Sequence, residues 1–204
     1  MLVTLILAAL SGLSPAYDTV SLEDVVDPMM PGTSVFMPLY VRDASGTLLG
    51  TDVGAGMRIQ GMGITFEVSP SGAVDGINVS RAGVTSALSA LFEDDALTSG
   101  DRFSWIATFD ETADPVPFNL DQALPGDQVA KLEVQLSKNL PPETTVFISV
   151  VTPTALSNQR GTFVQRQQDS TLELIGGRLI PENVFIFSDG FESGDVSAWT
   201  SVTP

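Results

Sequence analysis

Apolar and polar residues alternate in short runs along most of this chain. From Val35 to Val41 the odd positions are Val35, Met37, Leu39 and Val41, and the run follows a Pro31-Gly32 turn. A period of two places alternate residues on opposite faces of a strand. Val35, Met37, Leu39 and Val41 make the cleaner core face. The other face, Ser34, Phe36, Pro38, Tyr40 and Arg42, mixes aromatic rings, a proline and a charge. The same alternation recurs at 59–68 (Met62, Ile64, Phe66, Val68) and at 102–109 (Phe103, Trp105, Ala107, Phe109). It recurs again at 129–136, where Ala130, Leu132, Val134 and Leu136 oppose Lys131, Glu133 and Gln135, and at 144–151 with Val146, Ile148 and Val150 inside. Residues 73–81 read as a further strand and Val20–Val25 as a short edge strand. The glycines within 59–68 predict a bulge or a close backbone approach.

The punctuation between these runs is that of a β-protein. Ser69–Gly72 and Pro141-Pro142 are turns. Residues 110–127 form a long loop with Asp-Pro, Val-Pro and Pro-Gly breaks, and 156–169 reads as a polar loop. Gly176-Gly177 between 171–175 and 178–180 predicts a closing hairpin. Only 83–95 departs from the period of two: Val84, Leu88, Leu91 and Phe92 suit a short helix near 84–92 or a packed loop. Eight or nine short strands with almost no helical periodicity predict an all-β fold, a two-sheet antiparallel sandwich or a barrel.

The two ends differ from the middle. Leu2–Leu13 is an apolar run too short to span a bilayer, and small residues at Ser14 and Ala16 follow it. This predicts a secretory signal over residues 1–16, although no Lys or Arg precedes Arg42 to form the usual basic start. The expected domain occupies 17–182, and a tail occupies 183–204. Asp189-Gly-Phe-Glu-Ser-Gly-Asp195 with Trp199 resembles a segment at the C-termini of many secreted bacterial proteins.

Composition narrows the chemistry. The 204 residues include no cysteine and no histidine. Disulfides, thiolate sites, Ser-His-Asp catalysis and histidine-bound zinc are therefore excluded. A formal charge of −16 repels nucleic acid and anionic membranes and suits neutral or cationic partners. Carboxylates are the remaining catalytic candidates, chiefly Asp110-Glu111 with Asp114 and Glu93-Asp94-Asp95 with Asp101. Adjacent acids in loops do not imply the spaced pair of a glycosidase, so no enzyme is expected. No cofactor is expected either; Asp43, Asp52 and the 110–114 loop are the residues that would supply a structural calcium.

The strands together resemble those of cohesin domains. The Pro31-Gly32 turn with Val35-Phe-Met-Pro-Leu-Tyr-Val-Arg-Asp43 is similar to the first core strand of that family. Ile59–Val68, Ile106–Phe109, and Ala155–Gln159 before Leu174–Ile180 follow in the same order. The resemblance covers residues 20–182. It implies a jelly-roll sandwich of about nine strands, related to cellulose-binding modules. It also implies a secreted or cell-surface bacterial protein that binds a dockerin-like domain or a surface protein, with direct polysaccharide binding as the alternative.

For either partner the second face of the 34–42 strand is the candidate surface. Phe36 and Tyr40 are its rings and Arg42 its charge. Phe147 lies opposite the inward face of its own strand and joins the same apolar patch if the two strands are neighbours. Trp105 shares the face of Phe103 and Phe109, so the core is its expected place. A patch of a few hundred Å² would mark an interaction site.

Overall fold

A computed structural model describes residues 17–27, 29–44, 54, 56–119, 123–169 and 171–181. The expected signal (1–16), the tail with Trp199, and Asp52 lie outside the described residues. Twelve strands form two packed sheets: β1 Asp18–Leu22, β2 Val25–Asp27, β3 Ser34–Arg42, β4 Gly61–Ser69, β5 Val74–Arg81, β6 Ala90–Ser99, β7 Arg102–Phe109, β8 Asp127–Leu136, β9 Val146–Ser157, β10 Val164–Arg166, β11 Leu172–Ile175 and β12 Gly177–Pro181. One sheet has the order β11-β1-β3-β8-β5. The other has the order β2-β12-β9-β4-β7-β6, with β10 paired to β9. The fold is the expected all-β sandwich.

The alternating positions make its core. Val35, Met37, Leu39 and Val41 of β3 and Leu132, Val134 and Leu136 of β8 are buried against Met62, Ile64 and Phe66 of β4 and Trp105, Ala107 and Phe109 of β7. Each of the large aliphatic, methionine and phenylalanine side chains contributes roughly 1.5–3 kcal/mol by leaving water. The glycine-rich strand carries its expected irregularity. β4 advances two residues from Gly63 to Thr65 while β9 advances four from Val151 to Ala155, so β9 holds two extra residues there.

The expected edge strand at 20–25 is two strands. β1 sits inside the five-stranded sheet, between β11 and β3, with all five residues buried, while β2 is the edge of the other sheet. The chain changes sheets at Glu23-Asp24. The expected closing hairpin is the same kind of crossing. β11 pairs in parallel with β1, and β12 pairs in parallel with β2. Gly176-Gly177 is the corner between sheets and not a hairpin turn. A Cβ at Gly177 would stand 2.6 Å from the Glu23 carbonyl oxygen, so the two crossings touch backbone to backbone. They are tied by Arg178, whose guanidinium is 2.6 Å from the Asp24 carboxylate and whose backbone N–H donates to the same group at 2.9 Å. With each crossing counted as one bent strand and the three-residue β10 set aside, nine strands remain.

Two further expectations change. The helix near 84–92 is a single 3-10 turn, Gly83–Thr85, and residues from Ala90 belong to β6. Val84 and Leu88 pack against the core as their spacing suggests, but Leu91 and Phe92 are exposed on an edge strand. Thr85 anchors the turn by donating its hydroxyl to the Val129 carbonyl of β8. The polar loop at 156–169 begins later than expected, because β9 runs on to Ser157 and β10 pairs beside it. The two-residue insertion preserves parity, so Leu156 still faces the core.

Candidate functional site

The four residues expected to form one surface lie on two. Phe36, Tyr40 and Arg42 are on the outer face of the five-stranded sheet, where β3 pairs with β1 and β8. Phe147 is on β9, in the other sheet. The condition for a shared patch, that these strands be neighbours, is not met. On the first face Phe36 is 54% exposed, and Lys131 lies over its ring at 5.0 Å. Tyr40 is half-buried and donates its hydroxyl to Glu23 at 3.1 Å. Burial, and then the negative Glu23, push its phenol above the usual value. Arg42 donates to the Tyr17 carbonyl at 3.4 Å. This surface holds one exposed ring among groups already engaged.

The outer face of the seven-stranded sheet is different. Alternation along β7 turns Ser104, Ile106 and Thr108 outward, opposite the buried Phe103, Trp105, Ala107 and Phe109. The same rule turns out Phe92 and Asp94 from β6, Phe147 and Ser149 from β9, and Val26 from β2. Ile106 is 45% exposed and Phe147 46%. Beside Ile106 the floor is small, Gly61, Gly63, Ala155 and Ser157, whereas Phe147 pairs with Ser69 at the far end of β4, beyond Thr65 and Glu67. The sequence carried the signal for Ile106, an isoleucine at an outward position, and for the glycines. It gave no reason to rank this face above that of Phe36.

The insertion in β9 shapes this face. Thr65 points outward from β4 yet is only 5% exposed, because residues 152–154 fold over it. Its hydroxyl donates to the Pro153 carbonyl at 2.6 Å. Its backbone N–H, which would bond to a strand carbonyl in a regular ladder, donates to Thr154 Oγ1 at 3.0 Å. That hydroxyl in turn donates to the Val151 carbonyl at 2.6 Å. A ridge with Pro153 exposed at its crest therefore stands beside the Gly63 floor.

The acidic clusters serve the backbone. Asp110 accepts the Ala113 and Thr112 N–H groups, which hold its carboxyl below the ordinary value. Asp114 accepts from Ser89 and Glu111 from Gly56. Glu93 pairs with Arg81 at 2.8 Å and accepts the Trp105 indole N–H at 3.3 Å. Asp95 accepts the Val79 N–H at 3.1 Å, and these contacts stitch the β6 edge to the β5 edge beside an open cleft of about 440 Å³. Asp101 is held low by the Gly72 N–H and then the Ser71 side chain. A general acid needs its pKa raised, so the lowered Asp101 and Asp110 are not suited to that role. Among the described residues no three acidic side chains gather as metal ligands would.

No protein-family model and no curated protein matches the chain. Solved structures do. Against the sixth cohesin of scaffoldin B from Acetivibrio cellulolyticus, in complex with a mutant Cel5 dockerin, the TM-score is 0.54 at 12% identity, over 81% of this chain and 99% of that one. Against the third ScaC cohesin of the same organism, in complex with the ScaB dockerin, it is 0.51 at 13% identity, over 80% and 97%. Against the Coh-OlpA–Doc918 type I cohesin–dockerin complex from Clostridium thermocellum it is 0.50 at 12% identity, over 80% and 99%. Two sheets closed by parallel first and last strands, matched over almost the whole of these chains, give this protein the fold of the cohesin modules.

Proposed function

We propose that this chain is a secreted, non-catalytic binding module that receives a dockerin-like domain on the outer face of its seven-stranded sheet, within a polysaccharide-degrading or cell-surface assembly. One observation carries the choice of face. Nine large apolar side chains are exposed among the described residues, and four of them, Val26, Phe92, Ile106 and Phe147, stand on that face, whereas Phe36 alone stands on the other. Phe92 and Ile106 adjoin the small-residue floor, with Phe147 and Val26 further along the same face, an arrangement that suits a partner lying flat across the sheet, and such apolar anchors carry most of an interface's energy. The dockerins in the complexes of like fold support the partner class. The leader-like residues 1–16 support secretion.

The test is surface plasmon resonance of the immobilised chain against a panel of dockerins, including those of the complexes above. Ile106→Asp should weaken binding about 30-fold or more, the effect of losing a central anchor. Phe36→Ala and Tyr40→Ala should leave it unchanged. The reverse pattern would move the site to the five-stranded sheet, and a panel without any binder would refute the dockerin reading.

Direct polysaccharide contact is the second reading, favoured by the row in which Phe36, Glu133 and Asn78 lie side by side on β3, β8 and β5. A ring flanked by hydrogen-bonding groups suits a sugar face. Retardation in a polysaccharide affinity gel, lost on Phe36→Ala, would support it; unretarded migration on every polysaccharide tried would refute it.

A further inference from the structure

We propose that the row Asp94–Ile106–Gly63–Ala155 is a two-point anchor: an aliphatic side chain of the partner seats over Gly63, and a lysine or arginine of the same partner pairs with Asp94. The inference rests on the reading that the partner docks on this face. The four residues are consecutive cross-strand partners on β6, β7, β4 and β9. Strands lie about 4.8 Å apart, which puts Asp94 about 10 Å from Gly63, within one or two turns of a partner helix.

The seat at Gly63 is an opening that the fold does not require. A Cβ built there meets nothing within 4 Å, and its backbone is not in the left-handed region. Its neighbour Gly61 differs, since a Cβ there would stand 2.5 Å from Ser157 Oγ. Gly63 therefore leaves a notch that another residue type would fill. Ile106 walls it on one side, and the ridge at 152–154 closes one end.

The charge beside the notch is available. Of the cations on this face, Arg102 and Arg178 are paired with Glu67 and Asp24, and Arg166, the cross-strand partner of Ala155 on β10, is exposed at the opposite end of the row from Asp94. On β6, Glu93 is held by Arg81 and Asp95 by the Val79 N–H. Asp94 points outward between them, exposed, with no side-chain partner among the described residues. A chain of net charge −16 also draws a cationic partner toward this face from a distance. An aliphatic knob beside a cation is the chemistry that satisfies both points.

The experiment is a ¹⁵N chemical-shift titration of the full chain with three probes of one shape: isoamylammonium, isoamyl alcohol and isovalerate. Isoamylammonium should give saturable shifts centred on the amides of Gly63, Ala155, Ile106 and Asp94. The alcohol should bind the same row about threefold more weakly, the scale of one exposed ion pair, and isovalerate should not saturate. Asp94→Asn should reduce the ammonium to the level of the alcohol. Gly63→Val should abolish the shifts. Ammonium shifts centred elsewhere, equal binding of isovalerate, or an unchanged titration in Asp94→Asn would each overturn the anchor. If the probes bind this row and no dockerin docks, the anchor stands and the dockerin reading falls. If a dockerin docks through Ile106 and the probes miss the row, the anchor falls and the docking face stands.

Discussion

Replacing Thr154 with valine removes one hydroxyl and keeps the side chain's shape. That hydroxyl accepts the Thr65 N–H at 3.0 Å and donates to the Val151 carbonyl at 2.6 Å, at a residue only 3% exposed. After the change a buried N–H has no acceptor, which costs about 1–3 kcal/mol. The extra methyl is itself buried and returns at most about 0.8 kcal/mol. A net loss of about 1–2 kcal/mol should lower the melting temperature by about 3–6 °C in a domain of this size. Calorimetry measures this, and hydrogen exchange adds a local readout: the Thr65 amide should exchange faster while the amides of β3 and β8 stay protected. Thr154→Ser keeps the hydroxyl and should retain most of the stability. A valine variant that melts with the wild type, or a serine variant that melts below the valine one, would refute the account of the ridge as a side-chain-closed bulge.

Other substitutions separate space from conformation. Gly177→Ala drives a Cβ onto the Glu23 carbonyl and should cost about 1–3 kcal/mol by urea unfolding, whereas Gly63→Ala, with open space, should be neutral or slightly stabilising. Trp105→Phe removes a fully buried indole and its bond to Glu93; it should destabilise by about 1–3 kcal/mol, seen as a lower urea midpoint. Arg178 holds the Asp24 carboxyl below its ordinary 3.8, so the pair stabilises the fold fully above that value, and its contribution is lost as pH falls through the depressed one. Asp24→Asn should therefore melt below wild type at neutral pH, converge with it in acid once the pH has fallen through the depressed value, and differ less at high salt.

The sequence made the sandwich legible where one face of a strand is buried and the other is wet. In β3, β7 and β8 the alternation is clean, and every inward residue expected there is buried. It failed where a strand belongs to two sheets. Val20–Val25 and the Gly176-Gly177 corner look like an edge and a hairpin because short apolar pieces around polar or glycine residues read alike whether the chain turns back or crosses over. It also failed at 84–92, where Val84 and Leu88 pack inward from a turn and Leu91 and Phe92 belong to the next strand, so a helical spacing arises from two different elements. The candidate surface was half legible. Phe36 and Phe147 are both exposed, but only the strand order reveals that they face opposite ways. Asp94 and Gly63 were visible as residue types and become a site only through register.

The crossing of the two chain ends also sets when the fold can be completed. Asp24 and Arg178 are 154 residues apart in sequence, yet the strands around them depend on each other. Until residues 172–181 have left the ribosome, β1 has one unpaired edge inside its sheet and β2 has no strand to pair with. Closing so long a loop comes late, because its entropy is spent before any contact offsets it. A nascent or truncated chain ending before Leu172 would carry two vacant parallel slots side by side. Those slots are a template for a strand from another molecule, so protection of both sheet edges rests on the nine strand residues of β11 and β12.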